Sequence, residues 1–123
     1  MVLKGYDPVA YFTEGKPVKG DPKISHDWDG ERYLFSNPGN RSKFAADPER
    51  YAPQFGGFCT ASMARGARNE GNPEAWAIVD GKLYVTGAPD TAAAARQREL
   101  MQTDRNYLAL RIPKAEANWR EKK

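Results

Sequence analysis

Cysteine and histidine are almost missing from this chain. Its 123 residues include one of each, Cys59 and His26. One cysteine cannot form an internal disulfide. The pair also excludes a zinc site built from four cysteines, or from two cysteines and two histidines, which needs more ligands than the chain owns. The P-loop, the G-x-G-x-x-G fingerprint and the G-x-S-x-G nucleophile elbow are absent as well. Most common enzyme chemistries thus lose their reagents, and the chain is expected not to be an enzyme. No apolar run approaches the ~18 residues that would mark a membrane-spanning helix, so no membrane span is expected. No charged segment followed by an apolar run opens the chain, so no signal peptide is expected within it, and the compartment stays open. Repeats, heptads and low-complexity runs are also lacking on this reading.

A large excess of one charge is missing too. Nineteen Lys and Arg face sixteen Asp and Glu, a net charge of +3. Residues 1–91 hold 11 basic and 12 acidic side chains, residues 92–123 hold 8 and 4, so the basic character comes from the C-terminal part. There Arg96, Arg98, Arg105, Arg111 and Arg120 are spaced among Glu99, Asp104, Glu116 and Glu121. A nucleic-acid binder needs a basic stripe interleaved with aromatics. Mixed charge of this kind reads as a solvated helix face, and no nucleic-acid partner is expected.

What is present suits one small folded domain. Hydrophobic residues make up 40% of the chain and aromatics 11%, enough for one modest core. The tryptophans are expected in that core with Phe35 and Phe44. Asp7-Pro8 starts a short helix, with Asp7 as its cap rather than a catalytic acid. Ile24, His26 and Trp28 alternate with polar residues ahead of Asp29-Gly30, and β-prone Tyr33-Leu34-Phe35 follows: a hairpin over 24–36. A helix runs over 38–46, with another turn toward Tyr51. Residues 52–58 form a loop with adjacent glycines, and 59–64 a helix. Trp76–Val79, Asp80-Gly81 and Leu83–Val85 make a second hairpin. Helices follow over 92–102 and 104–110, and Pro113 opens a last one. Helix, hairpin, helices, hairpin, helices is an α+β order with a small antiparallel sheet.

Five blocks in order, GYDPVAYFTEGKPVKG, HDWDGERYLFS, FAADPERYAPQFGGFC, VDGKLYV and AEANW, resemble the YHS-domain family in its stand-alone bacterial form. They span one domain from Gly5 to Trp119, residues 5–119. The resemblance implies a compact α+β domain, treble-clef-like, related to the small metal-binding modules appended to copper-transporting ATPases. His26 stands where the family has its histidine. Metal-binding relatives carry cysteines in the second strand and at the start of the next helix. Here those places read Leu34-Phe35-Ser36 and Pro38-Gly39-Asn40, so that thiolate cluster is missing.

The remaining soft donors are Cys59, after Gly56-Gly57, and Met63 four residues on. In a helix, positions i and i+4 share a face. Thiolate and thioether ligands favour Cu(I), and His26 adds an imidazole if the first hairpin packs over this helix. The expected function is therefore a YHS-like binding domain for a soft metal, copper, at Cys59, Met63 and His26. The bland alternatives are core roles for Cys59 and Met63, and a hydrogen-bonded structural role for His26. Tyr6, Tyr11, Tyr33, Tyr51 and Phe58 line a pocket or anchor core and loops. A second reading is a metal-free structural or protein-interaction domain that docks a partner through its basic C-terminal helices. A third, a thiol enzyme using Cys59, lacks a base near in sequence.

Overall fold

The computed structural model describes residues 1–122. A turn at Val2–Gly5 leads to α1 (Ala10–Thr13), then β1 (Asp21–Trp28), β2 (Glu31–Phe35), α2 (Pro38–Ala46) and α3 (Pro48–Tyr51). A second turn at Gln54–Gly57 leads to α4 (Thr60–Ala64), β3 (Trp76–Val79), β4 (Lys82–Val85), α5 (Thr91–Thr103) and α6 (Arg105–Lys122). The fold is α+β, as the element order indicates. Its strands form two separate antiparallel pairs, β1 with β2 and β3 with β4.

Both hairpins close at Asp-Gly. Asp29 and Gly30 have φ of 52° and 78°, Asp80 and Gly81 of 52° and 75°. Two successive positive φ values are the requirement of the type I′ turn, which matches strand twist. Strand β1 starts three residues before the alternating stretch, at Asp21. Its register is irregular between Asp21 and Ser25, and an irregularity of this kind breaks the period-two pattern. The helix starts follow their caps. Asn37 Oδ1 accepts from the Asn40 N–H at 2.8 Å and Asp90 Oδ1 from the Ala93 N–H at 2.8 Å.

A helix boundary also differs from the sequence reading. Pro113 does not open a new helix but lies inside α6. A proline costs a helix one N–H bond and crowds the carbonyl four residues back. Here packing on both sides of it compensates. Leu108 and Ala115 are buried in the core. Further on, Asn118 Nδ2 donates to the Met63 and Ala64 carbonyls at 2.8 and 3.2 Å. That pins α6 along the C-terminal end of α4.

The core has two clusters. Val9, Tyr11, Tyr33, Phe35 and Phe44 form the first, together with Trp76, Leu83 and Val85. Phe55, Met63, Ala77, Tyr84, Met101 and Leu108 belong to the second. Successive strand residues point to opposite faces. Strand β4 therefore sends Leu83 and Val85 into one cluster and Tyr84 into the other, and acts as their shared wall.

Candidate functional site

The diglycine ahead of Cys59 has two physical reasons. Phe55, Gly56 and Gly57 all take positive φ, at 59°, 62° and 85°. A Cβ on Gly57 would also sit 3.3 Å from Val2 Cγ1, a tight contact. Glycine is the residue that tolerates both demands. The chain then straightens at Phe58 and delivers Cys59 to the N-cap of α4, as the sequence indicates. Cys59 is buried. Its Sγ accepts from the Ser62 N–H at 3.4 Å and from the Gly87 N–H at 3.1 Å. Its own N–H donates to the Asn69 carbonyl at 2.7 Å.

The other two predicted donors sit in different surroundings. Met63 is wholly buried among the apolar side chains of the second cluster. His26 is half-buried on β1, opposite Tyr33, with its ring 6.0 Å from that of Phe44. The first hairpin packs on α2, and α4 packs on α6. The expected closure of His26 over the Cys59 helix is thus not what the packing provides. Among the described residues, no group of three or more His, Cys, Asp or Glu side chains is placed to hold a metal. His26 lies against Phe44, Met63 is sheathed in hydrocarbon, and the Cys59 thiol already engages two N–H groups.

Asp7 carries more than the sequence assigns to it. The cap is there: Oδ1 accepts from the Val9 and Ala10 N–H groups at 2.8 and 3.3 Å. Oδ2 also accepts from the Ser36 N–H and Oγ, each at 2.9 Å, and from Asn40 Nδ2 at 2.8 Å. A fully buried carboxylate thus ties α1, the end of β2 and α2 together. Five donors compensate its desolvation. Nothing local in the sequence announces this, because Ser36 and Asn40 are about thirty positions away.

A cleft of about 720 Å³ opens where the two turns face each other. Leu3 and Lys4 line it from the first turn, Phe55 and Gly56 from the second. Trp28, Tyr33, Phe58 and Trp119 supply aromatic surface, and Glu31 and Lys82 supply opposite charges from the two hairpins. The Arg68 guanidinium lies 5.6 Å from the Phe58 ring centre and 5.3 Å from that of Trp119, within cation–π range. Burial, with help from the Glu31 and Asp29 carboxylates, pushes the Tyr33 hydroxyl up to about 12. Of the aromatics considered as pocket lining, Tyr33 and Phe58 do line the cleft. Tyr11 is core, and Tyr6 and Tyr51 pack against the first cluster. Trp28 and Trp119, read from sequence as core, are half-buried cleft residues. Large aromatics favour burial but do not announce which of their faces stays wet.

The family model of the YHS domain matches residues 9–55, which supports the resemblance over that stretch. No curated protein matches the chain. No solved structure matches it either. No helix among the described residues is long and apolar enough to cross a membrane.

Proposed function

We propose, from the premise that residues 9–55 match the YHS domain, that the chain is a binding domain rather than an enzyme, with the cleft between its two turns as the ligand site. The carrying observation is that cleft. Its volume falls in the range of small-molecule sites, roughly 300–1,000 Å³. Half-buried Trp28 and Trp119 give it aromatic surface, and Glu31 and Lys82 give it opposite charges. Its lining is more polar than apolar, so the ligand class it suits is a small, largely polar molecule with a flat face for the aromatic rings. A non-catalytic role is supported by the state of the thiol, which is buried and engaged by backbone donors. The only imidazole packs on Phe44.

The test is a fragment screen by ligand-observed NMR on the wild-type chain. Hits are mapped by amide shifts and repeated on Trp119→Ala. Hits that shift Lys4, Phe58 and Lys82 and weaken in the variant support the reading. Hits that map elsewhere, or none at all, overturn it.

A second reading keeps copper. It rests on Cys59 and Met63 lying at the start and end of one short helix. Two soft donors suit Cu(I), but Cys59 would exchange its two N–H partners for the metal. Cu(I) titration under reducing conditions separates the readings. Stoichiometric binding that Cys59→Ser abolishes and Met63→Leu weakens would favour copper. Equal affinity in wild type and Cys59→Ser removes it.

A further inference from the structure

We infer that the chain is an internal duplication, residues 2–51 and 54–103 being two diverged copies of one module, and that Cys59 is the second copy's counterpart of Asp7. The first observation is backbone conformation. Twelve described residues take positive φ, and all twelve fall into six pairs. Leu3, Lys4 and Gly5 (54°, 51°, 89°) match Phe55, Gly56 and Gly57 (59°, 62°, 85°), each 52 positions on. Gly15 matches Gly66, and Asp29-Gly30 matches Asp80-Gly81, each 51 positions on. Non-glycine residues rarely enter this region, and bulky ones such as Leu3 and Phe55 hardly at all. Six coincident pairs are not what two unrelated halves would give.

The hydrogen bonds repeat in the same order. Tyr6 N–H closes its turn on the Leu3 carbonyl at 3.0 Å, and Phe58 N–H on the Phe55 carbonyl at 3.0 Å. Each aromatic then makes one antiparallel bridge, Tyr6 to Lys19 and Phe58 to Glu70. Gly20 N–H donates to the Gly5 carbonyl at 2.8 Å, Gly71 N–H to the Gly57 carbonyl at 3.0 Å. Both of these glycines lie under the return strand of their own hairpin. A Cβ on Gly20 would stand 2.6 Å from Leu34 Cβ, and one on Gly71 2.4 Å from Val85 Cγ2. Leu34 and Val85 are themselves 51 positions apart. A side-chain-capped helix follows each hairpin, at Asn37 and at Asp90.

Within this frame Asp7 and Cys59 do the same thing. Each follows the bridged aromatic and caps the short helix. Asp7 takes the Val9 and Ala10 N–H groups, and Cys59 takes that of Ser62. Each reaches to the exit of its own hairpin, Asp7 to the Ser36 N–H and Cys59 to the Gly87 N–H. Ser36 and Gly87 are again counterparts, 51 positions apart. Sulfur replaces carboxylate where the second copy lacks the Ser36 hydroxyl. The thiol is thus the second copy's keystone. The cleft lies where equivalent turns of the two copies meet, and α6 stands outside the repeat.

The experiment grafts the first copy's set onto the second in the full chain. Cys59→Ala, Cys59→Asp with Gly87→Ser, and wild type are compared by urea unfolding and amide hydrogen exchange. Serine fits at 87, since a Cβ there would meet Cys59 Sγ at an ordinary 3.7 Å. Cys59→Ala is expected to lower the urea midpoint and to expose the Ser62 and Gly87 amides to exchange. The graft is expected to recover both. If Cys59→Ala does not fold, a folded graft with both amides protected supports the equivalence. A Cys59→Ala midpoint equal to wild type, or a graft no more stable than Cys59→Ala, overturns it.

Discussion

Asp7 shows at the scale of one residue how a local signal becomes a global one. Capping is worth ~1 kcal/mol, but this carboxylate also holds Ser36 and Asn40. Asparagine would keep one acceptor oxygen and turn an N–H₂ group toward backbone donors. Asp7→Asn is therefore expected to destabilise the chain by about 3 kcal/mol or more, since hydrogen bonds to charged groups contribute ~1.5–3 kcal/mol each. Chemical denaturation at neutral pH checks this, and a change under ~1 kcal/mol, no more than a cap alone, would refute the network's importance. The tyrosines set a second expectation. Burial, followed by the nearby Tyr6, Glu74 and Asp7, raises the ionisation of the Tyr11 hydroxyl, which donates to the Pro73 carbonyl at 2.7 Å. Tyr33 is raised to about 12. An unfolded tyrosine ionises near pH 10. Folded Tyr33 keeps its proton about two units longer, so its contribution is complete below pH 10 and is lost as pH rises toward 12. Unfolding free energies measured from about pH 8 to 12 should fall above about pH 10. Tyr33→Phe should make that fall shallower.

Among the elements, the hairpins and their supporting glycines divide into two kinds. Gly30 needs glycine for its φ of 78° alone, because a Cβ there would meet nothing within 4 Å. Gly20 has ordinary φ but no room, because a Cβ would stand 2.7 Å from the Leu34 backbone carbon and 2.8 Å from the Gly5 oxygen. Left-handed strain costs roughly 1–2 kcal/mol, whereas overpacking against backbone forces the hairpin off its turn and costs ~1–3 kcal/mol or more. Gly20→Ala should thus be the more damaging of the two, measured by thermal unfolding of Gly20→Ala and Gly30→Ala; the reverse order would contradict the close approach. The turns and capped helices were legible because Asp-Gly, Asn-Pro and Asp-Thr act within a few residues. The irregular start of β1 and the continuity of α6 through Pro113 were not. Each depends on what packs against the segment: α2 and β2 on β1, and α4 along α6.

For the whole molecule the governing feature is the wall between the two clusters. Leu83 and Val85 face one side of β4 and Tyr84 the other. Damage to either cluster therefore reaches both. Phe44, wholly buried against Tyr33 and Phe35 at ring distances of 4.6 and 5.2 Å, belongs only to the first. Phe44→Ala is expected to cost ~3–5 kcal/mol. Far-UV and near-UV dichroism should still report one shared transition, as two-state small domains do; two separated transitions would show the clusters to be independent. By itself the sequence determined the α+β order, the two Asp-Gly hairpins, most helix starts and the place of Cys59 at a helix cap. Those follow from φ preferences, caps and periodicity, which act over a few positions. Only the tertiary structure decided that His26 packs on Phe44 rather than over α4, that Asp7 is a five-bond anchor, and that a cleft opens between the turns. It also paired the two halves, which share few residues and change their spacing from 52 to 51 across the short helices before Gly15 and Gly66. Backbone conformation and long-range hydrogen bonds survive substitutions that erase a repeat from the letters, because they need a shape and a donor rather than a particular side chain.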